Sequence, residues 1–327
     1  MYEKFYGFRE NPFTITPDSK FFFPSQKHTR ALDGLVYTVS QRRGFAVITG
    51  EIGSGKTTIC RALLNRLDNG TKVVMITNSY LSPKEFLSCI LEDLGIACAG
   101  KTKSGLLLIL RKFLLEQLSL DFNVILIIDE AQNLSPRMLE EIRMLSNLET
   151  EKSKMIQIIL SGQPGLKDKL QLKELTQLKQ RVCVQYHILP LDIVDTEKYI
   201  HHRLRAASIN ANVRVEFAPE AIDEIYNCSR GIPRTINMLC NSALLIGYVT
   251  DARRITSQLI REAMEEFQDE VEIGRAAESL PSLSLLASPT AGRGQEVSET
   301  ISLLDFAKQE SIPLVIEESI ERKGEGI

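Results

Sequence analysis

The stretch Gly44 to Thr58, GFAVITGEIGSGKTT, constrains this chain more than any other. Phe45 to Thr49 is short, apolar and β-prone, and reads as a buried strand. Gly50-Glu51-Ile52-Gly53-Ser54-Gly55-Lys56-Thr57 then fits G-x-x-x-x-G-K-[ST]. Thr58 to Leu67 follows as a helix, with Ile59, Leu63, Leu64 and Leu67 on one face. Strand, glycine loop and helix, in that order, make a phosphate cradle. The glycines let backbone N–H groups turn inward as an anion nest. Lys56 brings a positive charge to the outer phosphates, and Thr57 a hydroxyl to Mg²⁺. The helix that starts at Thr58 points its positive end at the same anions. At average composition, about one chain in a hundred of this length would match the pattern by chance, and the flanking strand and helix lower that further. Gly50 to Thr58 are therefore the expected nucleotide contacts.

A second signal is independent. In NVILIIDEAQNL, Asn123 to Leu134, five apolar residues run into Asp129-Glu130. A buried parallel strand reads this way. Carboxylates at its C-terminal end lie on the sheet edge where α/β ligands bind. Asp129 is expected to hold Mg²⁺ and Glu130 to orient and activate an attacking water. An ordinary buried strand ending in a charged turn is the alternative, and the phosphate loop upstream argues against it. The two motifs together indicate ATP hydrolysis with Mg²⁺, since positioning and charge neutralisation are what that reaction needs.

The rest of the chain alternates. Ser25 to Ser40 reads as a helix, Lys72 to Thr77 as a strand and Ser104 to Leu118 as a helix. SPKEFLSCILEDLG carries a capping box (Ser82, Glu85), a first-turn Pro83 and a stop at Gly95. Ser135-Pro136 opens a helix with Leu139, Ile142, Leu145 and Leu148 inward. Met155 to Leu166 is a strand with a polar turn, and Cys183 to Leu191 the last strand. The fold class is α/β, a parallel sheet with helices on both faces. From Thr196 the pattern becomes helical only, over 196–208, 219–228, 233–249 and 256–267. The expected domains are an aromatic N-terminal segment and helix (1–40), the α/β domain (41–192), a small helical domain (193–268) and an acidic low-complexity tail (269–327). The tail is expected to be disordered, with Thr300 to Gln309 as a candidate docking helix. The N-terminal aromatics are expected to pack against the nucleotide domain, or else to clasp the adenine base.

Composition excludes more than it selects. With 327 residues, 43% hydrophobic and 25% charged, the chain is of the globular class. From Gln268 onward it carries 5 Lys/Arg against 12 Asp/Glu; the remainder carries 34 against 30. A body so mildly basic permits DNA binding without arguing for it. The six cysteines form no C-x-x-C and no Cys/His pair at zinc spacing, and read as buried free thiols. The N-terminus has no signal-peptide pattern, and no apolar run approaches the ~18–20 residues of a membrane span. A cytoplasmic setting follows as the expectation, with peripheral attachment at the inner membrane left open.

An α/β nucleotide domain followed by a small helical lid resembles the AAA+ class. That resemblance implies roles for further residues. Ser161 or Gln163, at the end of the strand after Asp129, would be the sensor 1 group that holds the water or γ-phosphate. Arg234, in GIPRTINMLC, would be the sensor 2 arginine. Arg181, just before the last strand, would be an arginine finger offered to an adjoining subunit, which makes the active form a homo-oligomer. Solvated surface arginines are the bland alternative for both.

The match narrows further. FYGFRENPFTITPDSKFFFPSQKHTRAL, GFAVITGEIGSGKTT, DEAQNL, LSGQPGL, QRVCVQYHILPL and GIPRTINMLC together resemble the bacterial general secretion pathway protein A family, the ExeA-like ATPases, over about residues 1–267. Membrane-anchored members of that family continue into a transmembrane helix and a peptidoglycan-binding domain. Neither is read here, so the chain is similar to the soluble relatives found with exopolysaccharide and pilus-type export. The implied function is an ATPase that drives or switches an unidentified protein partner in envelope export. The alternative is a DNA-binding AAA+ regulator of the transposition type, which shares the DEAQ core. A helicase is set aside, because only short helices follow residue 195 where a second α/β domain would be needed.

Overall fold

The computed structural model describes residues 1–266 apart from 69, 79, 152 and 210–212. The helix end at 267, the tail at 269–327 and the candidate docking helix lie outside the described residues. The chain order is α1 (Tyr2–Tyr6), α2 (Gln26–Ser40), β1 (Phe45–Gly50), α3 (Lys56–Leu64), β2 (Thr71–Ile76), α4 (Pro83–Asp93) and α5 (Lys103–Ser119). Then follow β3 (Asn123–Ile128), α6 (Pro136–Leu145), β4 (Gln157–Gly162), α7 (Gly165–Lys169), α8 (Thr176–Arg181) and β5 (Val182–Ile188). A second group comprises α9 (Ile193–Ala207), β6 (Glu216–Phe217), α10 (Pro219–Ser229), α11 (Pro233–Val249) and β7 (Arg254–Ile255), then a helix over 257–266.

The main sheet has five strands in the order β2-β3-β4-β1-β5, all parallel. Side chains alternate between its faces. Ile48, Ile125, Ile127 and Ile159 pack on the side of α2 and α3. Val47, Leu126, Ile128, Ile158 and Leu160 pack on the side of α4, α5 and α6. Both faces are therefore covered, and β1, β3 and β4 are almost wholly buried. Ser82 and Glu85 form the expected capping box, and Ser25 and Ser135 cap α2 and α6. The helix expected from Thr196 starts earlier, at Ile193, with Asp192 as its cap.

Three expectations are corrected. The C-terminal group is not purely helical: β6 and β7 pair in parallel through Glu216↔Arg254 and Phe217↔Ile255. The N-terminal aromatics pack mostly into the helical domain, and Phe22 packs against the α2–α3 side of the nucleotide domain as expected. Tyr2, Tyr6, Phe8, Phe13 and Phe21 share one core with Tyr199, Leu204, Ile225 and Leu244. Their polar ends are satisfied there: the Tyr6 hydroxyl donates to Ala252 O (2.9 Å), and that of Tyr2 to Asn241 Oδ1 (2.7 Å). Arg203 of α9 is 5% exposed and ties the segment down, donating to Pro12 O (2.5 Å) and Thr14 O (2.7 Å) with its guanidinium 4.2 Å from the Phe21 ring centroid. The thiols also differ: all six are free, but only Cys60, Cys98 and Cys240 are buried, Cys89 and Cys228 are half-buried, and Cys183 is exposed.

Candidate functional site: a phosphate loop beneath a helical lid

The site lies at the C-terminal ends of β1, β3 and β4, where an open α/β sheet leaves its crevice. The loop leaves β1 at Gly50 and enters α3 at Lys56. Gly53 and Gly55 have φ of 78° and 96°, in the left-handed region. A Cβ on Gly53 would lie 2.4 Å from the Arg234 Cβ, so the loop needs glycine there for room as well as for torsion. No side chain caps α3, and its first N–H groups remain for an anion. Lys56 is buried and its ammonium donates to Gly50 O and Glu51 O, both at 2.9 Å. Burial lowers its pKa, opposed by the charges of Glu130 and Asp129.

Strand register brings the acidic groups to this loop. Ile128 pairs with Leu160, so Asp129 and Ser161, one residue further along each strand, come out level. Both share parity with the face covered by α3. Asp129 Oδ1 accepts from the Ser161 hydroxyl (2.7 Å) and the Glu130 N–H (3.0 Å), and its Oδ2 accepts from the Thr57 hydroxyl (2.7 Å). Thr57 and Asp129 thus present hard oxygen atoms side by side, the donor chemistry Mg²⁺ takes. Glu130 starts a short 3₁₀ helix (Ala131–Asn133) from a left-handed conformation, φ 51°. Its Oε2 accepts from Gln132 Nε2 (2.6 Å) and Gln163 Nε2 (3.2 Å).

A cavity of about 320 Å³ opens between this loop, the N-terminal segment and the lid. Of the expected residues, Ile52, Gly53, Gly55, Lys56, Thr57, Thr58, Glu130 and Arg234 line it. Gly50, Glu51 and Ser54 do not line it, though Gly50 and Glu51 hold the lysine. Asp129 and Ser161, bonded to each other, and Gln163, bonded to Glu130, do not line it. Arg234 opens α11 with an exposed side chain, and its backbone N–H donates to Gly53 O (3.2 Å). The lid therefore rests on the loop itself. Phe21, Phe22 and Phe23 also line the cavity, so the N-terminal segment serves the lid core and the cavity wall together.

Arg181 is not brought to this site. β1 and β5 pair from Phe45↔Val182 to Gly50↔Ile188, with one register shift after Phe45, so Arg181 lies at the opposite sheet edge, on the order of 20 Å away. Its Nη1 donates to Ser146 Oγ at 2.8 Å.

Two contacts escaped the sequence reading. His28 of α2 is buried, with Nε2 3.1 Å from Ser54 O and Nδ1 2.6 Å from Ser25 Oγ. Burial lowers its pKa. A donor to Ser54 O must be Nε2–H, which leaves Nδ1 to accept from Ser25. Gln132 is the other, and its only sequence signal was its place in DEAQNL.

A parallel sheet ordered β2-β3-β4-β1-β5, a phosphate loop after β1, paired carboxylates after β3 and a helical lid define a P-loop ATPase of the AAA+ class. Residues 39–170 match the family model described as an AAA domain. The chain is an AAA+ ATPase related to general secretion pathway protein A of Aeromonas hydrophila: it is 37% identical over 256 residues, which is 78% of this chain and 46% of that protein. It thus spans about half the length of that relative. A Methanocaldococcus jannaschii protein described as an uncharacterized HTH-type transcriptional regulator is 26% identical over 299 residues, 78% of this chain and 71% of that one. Among solved structures, Cdc6p from Pyrobaculum aerophilum superimposes with a TM-score of 0.63 at 16% identity, over 80% of this chain and 72% of that one. No helix among the described residues is long and apolar enough to cross a membrane.

Proposed function

We propose that this ATPase works with Mg²⁺ as a homo-oligomer, and that its turnover drives or switches a protein partner in envelope export. The export role rests on one observation, the identity to general secretion pathway protein A across both the nucleotide domain and its lid.

The geometry supports a division of labour at the site. Backbone N–H groups of the loop and the start of α3 bind the phosphates. Lys56 exchanges its two carbonyl partners for the outer phosphate oxygens. Thr57 and Asp129 would hold Mg²⁺, which would supply charge neutralisation to the phosphates. Ser161 holds Asp129 through Oδ1 and leaves Oδ2 towards Thr57. Glu130 turns one oxygen to the cavity and takes the proton of the attacking water. The water oxygen bonds to the γ-phosphorus as its bond to the bridging oxygen breaks, giving ADP and phosphate. Arg234 closes on the γ-phosphate from the lid. Arg181 can serve only a neighbouring subunit's nucleotide, given its distance from its own.

The test is ATP turnover by the purified chain with and without duplex DNA, with Glu130→Gln as control. Turnover lost in Glu130→Gln and indifferent to DNA is the expected result. Strong stimulation by DNA that falls steeply with salt would replace the export role with the DNA-regulator reading. Unchanged turnover in Glu130→Gln would remove Glu130 from the chemistry.

A further inference from the structure

We infer that Gln132 is a positioning residue for ATP hydrolysis, acting by bridging the Glu130 carboxylate to the turn after β4. The inference rests on the reading of Glu130 as the group that takes the water's proton.

Glu130 stands on a single left-handed residue between β3 and a short 3₁₀ helix. The backbone sets where the side chain starts and leaves its outer torsions to its partners. Gln132 fixes the carboxylate from two residues away. Its Oε1 accepts from the backbone N–H of Gln163 (2.8 Å), and its Nε2 donates to Glu130 Oε2 (2.6 Å). A backbone N–H can only donate, so it must face the amide oxygen. The amide nitrogen then faces the carboxylate, with a longer second contact to Asn133 Oδ1 at 3.5 Å. Gln163 Nε2 adds a second donor to the same oxygen at 3.2 Å. Oε2 is thereby occupied twice, while Oε1 accepts from no donor among the described residues. One oxygen is held and the other is left for the cavity that Glu130 lines.

Gln132 is itself anchored. Lys169 of α7 donates to the backbone carbonyls of Gln132 and of Leu134, the latter at 2.7 Å. Ala131 between the two polar residues is fully buried. The turns after β3 and β4 are thus joined into one unit, and the Glu130 rotamer is set by that unit. The residue type is specific. Asn is one methylene too short to span both partners, Glu lacks the donor and would repel Glu130, and Ala removes the bridge.

A mere turn-stabilising glutamine would act on folding and not through Glu130. The two are separated by steady-state kinetics on Gln132→Ala, Gln132→Asn and Gln132→Glu, each also combined with Glu130→Gln, with ADP affinity and thermal melting measured on every variant. All three single variants should lower kcat, Ala and Glu by about 10²-fold, the scale of a misplaced reacting group. KM and ADP affinity should stay within about twofold of wild type, since no phosphate contact is touched. In the Glu130→Gln background the same changes should leave the residual rate unaltered. Wild-type kcat in folded, ADP-binding Gln132→Ala and Gln132→Asn would overturn the inference. So would an equal further loss in the Glu130→Gln background. If Glu130→Gln alone kept wild-type kcat, the reading of Glu130 would fail and this inference with it.

Discussion

Asp129 is 5% exposed and keeps both carboxylate oxygens engaged, Oδ1 with Ser161 and the Glu130 N–H, Oδ2 with Thr57. A carboxylate in so closed a place needs those donors. Groups behind a metal ligand typically tune affinity by 10–100-fold, so Ser161→Ala should weaken the apparent Mg²⁺ affinity of turnover by about that factor. A Mg²⁺ titration of ATPase rate at saturating ATP checks this; an unchanged midpoint would put Ser161 on the phosphate side instead. Lys56→Ala should abolish ATP binding in calorimetry, because Lys56 is the one buried lysine that lines the cavity among the described residues and Arg203, the buried arginine there, is engaged with Pro12 and Thr14. At this scale the sequence was most readable where a residue type stood at a fixed place in a motif, as Thr57, Asp129 and Glu130 do. Ser161 was left between two duties, and register with β3 turns it towards Asp129. Gln132 carried no signal of its own, since its meaning depends on a turn some thirty residues downstream.

β1, β3 and β4 form the buried centre of the sheet, and their alternation decides which groups reach the phosphate loop. Ile127 and Asp129 share one face, so the packing that seats Ile127 against the α2–α3 side also aims the carboxylate at Thr57. Ile127→Ala should destabilise the fold by about 2–5 kcal/mol, read from urea unfolding, and should raise KM for ATP through Asp129. The strands and long helices were readable because their apolar runs and caps are local. The two-residue β6 and β7 are too short for any periodicity to show. The destination of the N-terminal aromatics was hidden for another reason. Buried rings announce burial but not their partners, and Tyr6 meets Ala252 across a separation of 246 residues.

In the whole molecule, two properties emerge that no single element owns. His28 and His202 both have pKa values held below the ordinary histidine value by burial. The unfolded chain then binds more protons than the folded one below about pH 6.5, and stability falls as acid is added. Thermal melting should be flat above about pH 7 and drop progressively below about 6.5; His28→Asn should reduce that slope. The second property concerns Arg181, at the sheet edge away from its own loop. If it completes a neighbour's site, Arg181→Ala should bind ATP and lose turnover by about 10³-fold or more. Mixing it with Glu130→Gln should restore part of the rate, and failure of the mixture to exceed either variant would make Arg181 a structural tie to Ser146. A last consequence follows from the core that Tyr2, Tyr6 and Phe8 share with α9, α10 and α11. During synthesis the first aromatics leave the ribosome roughly 10–50 s before Ala252 does, at about 5–20 residues per second. The nucleotide domain can collect its strands meanwhile, but the lid cannot close its core. A greasy leader must therefore wait, exposed to chaperones and proteases, until translation has nearly finished with the lid.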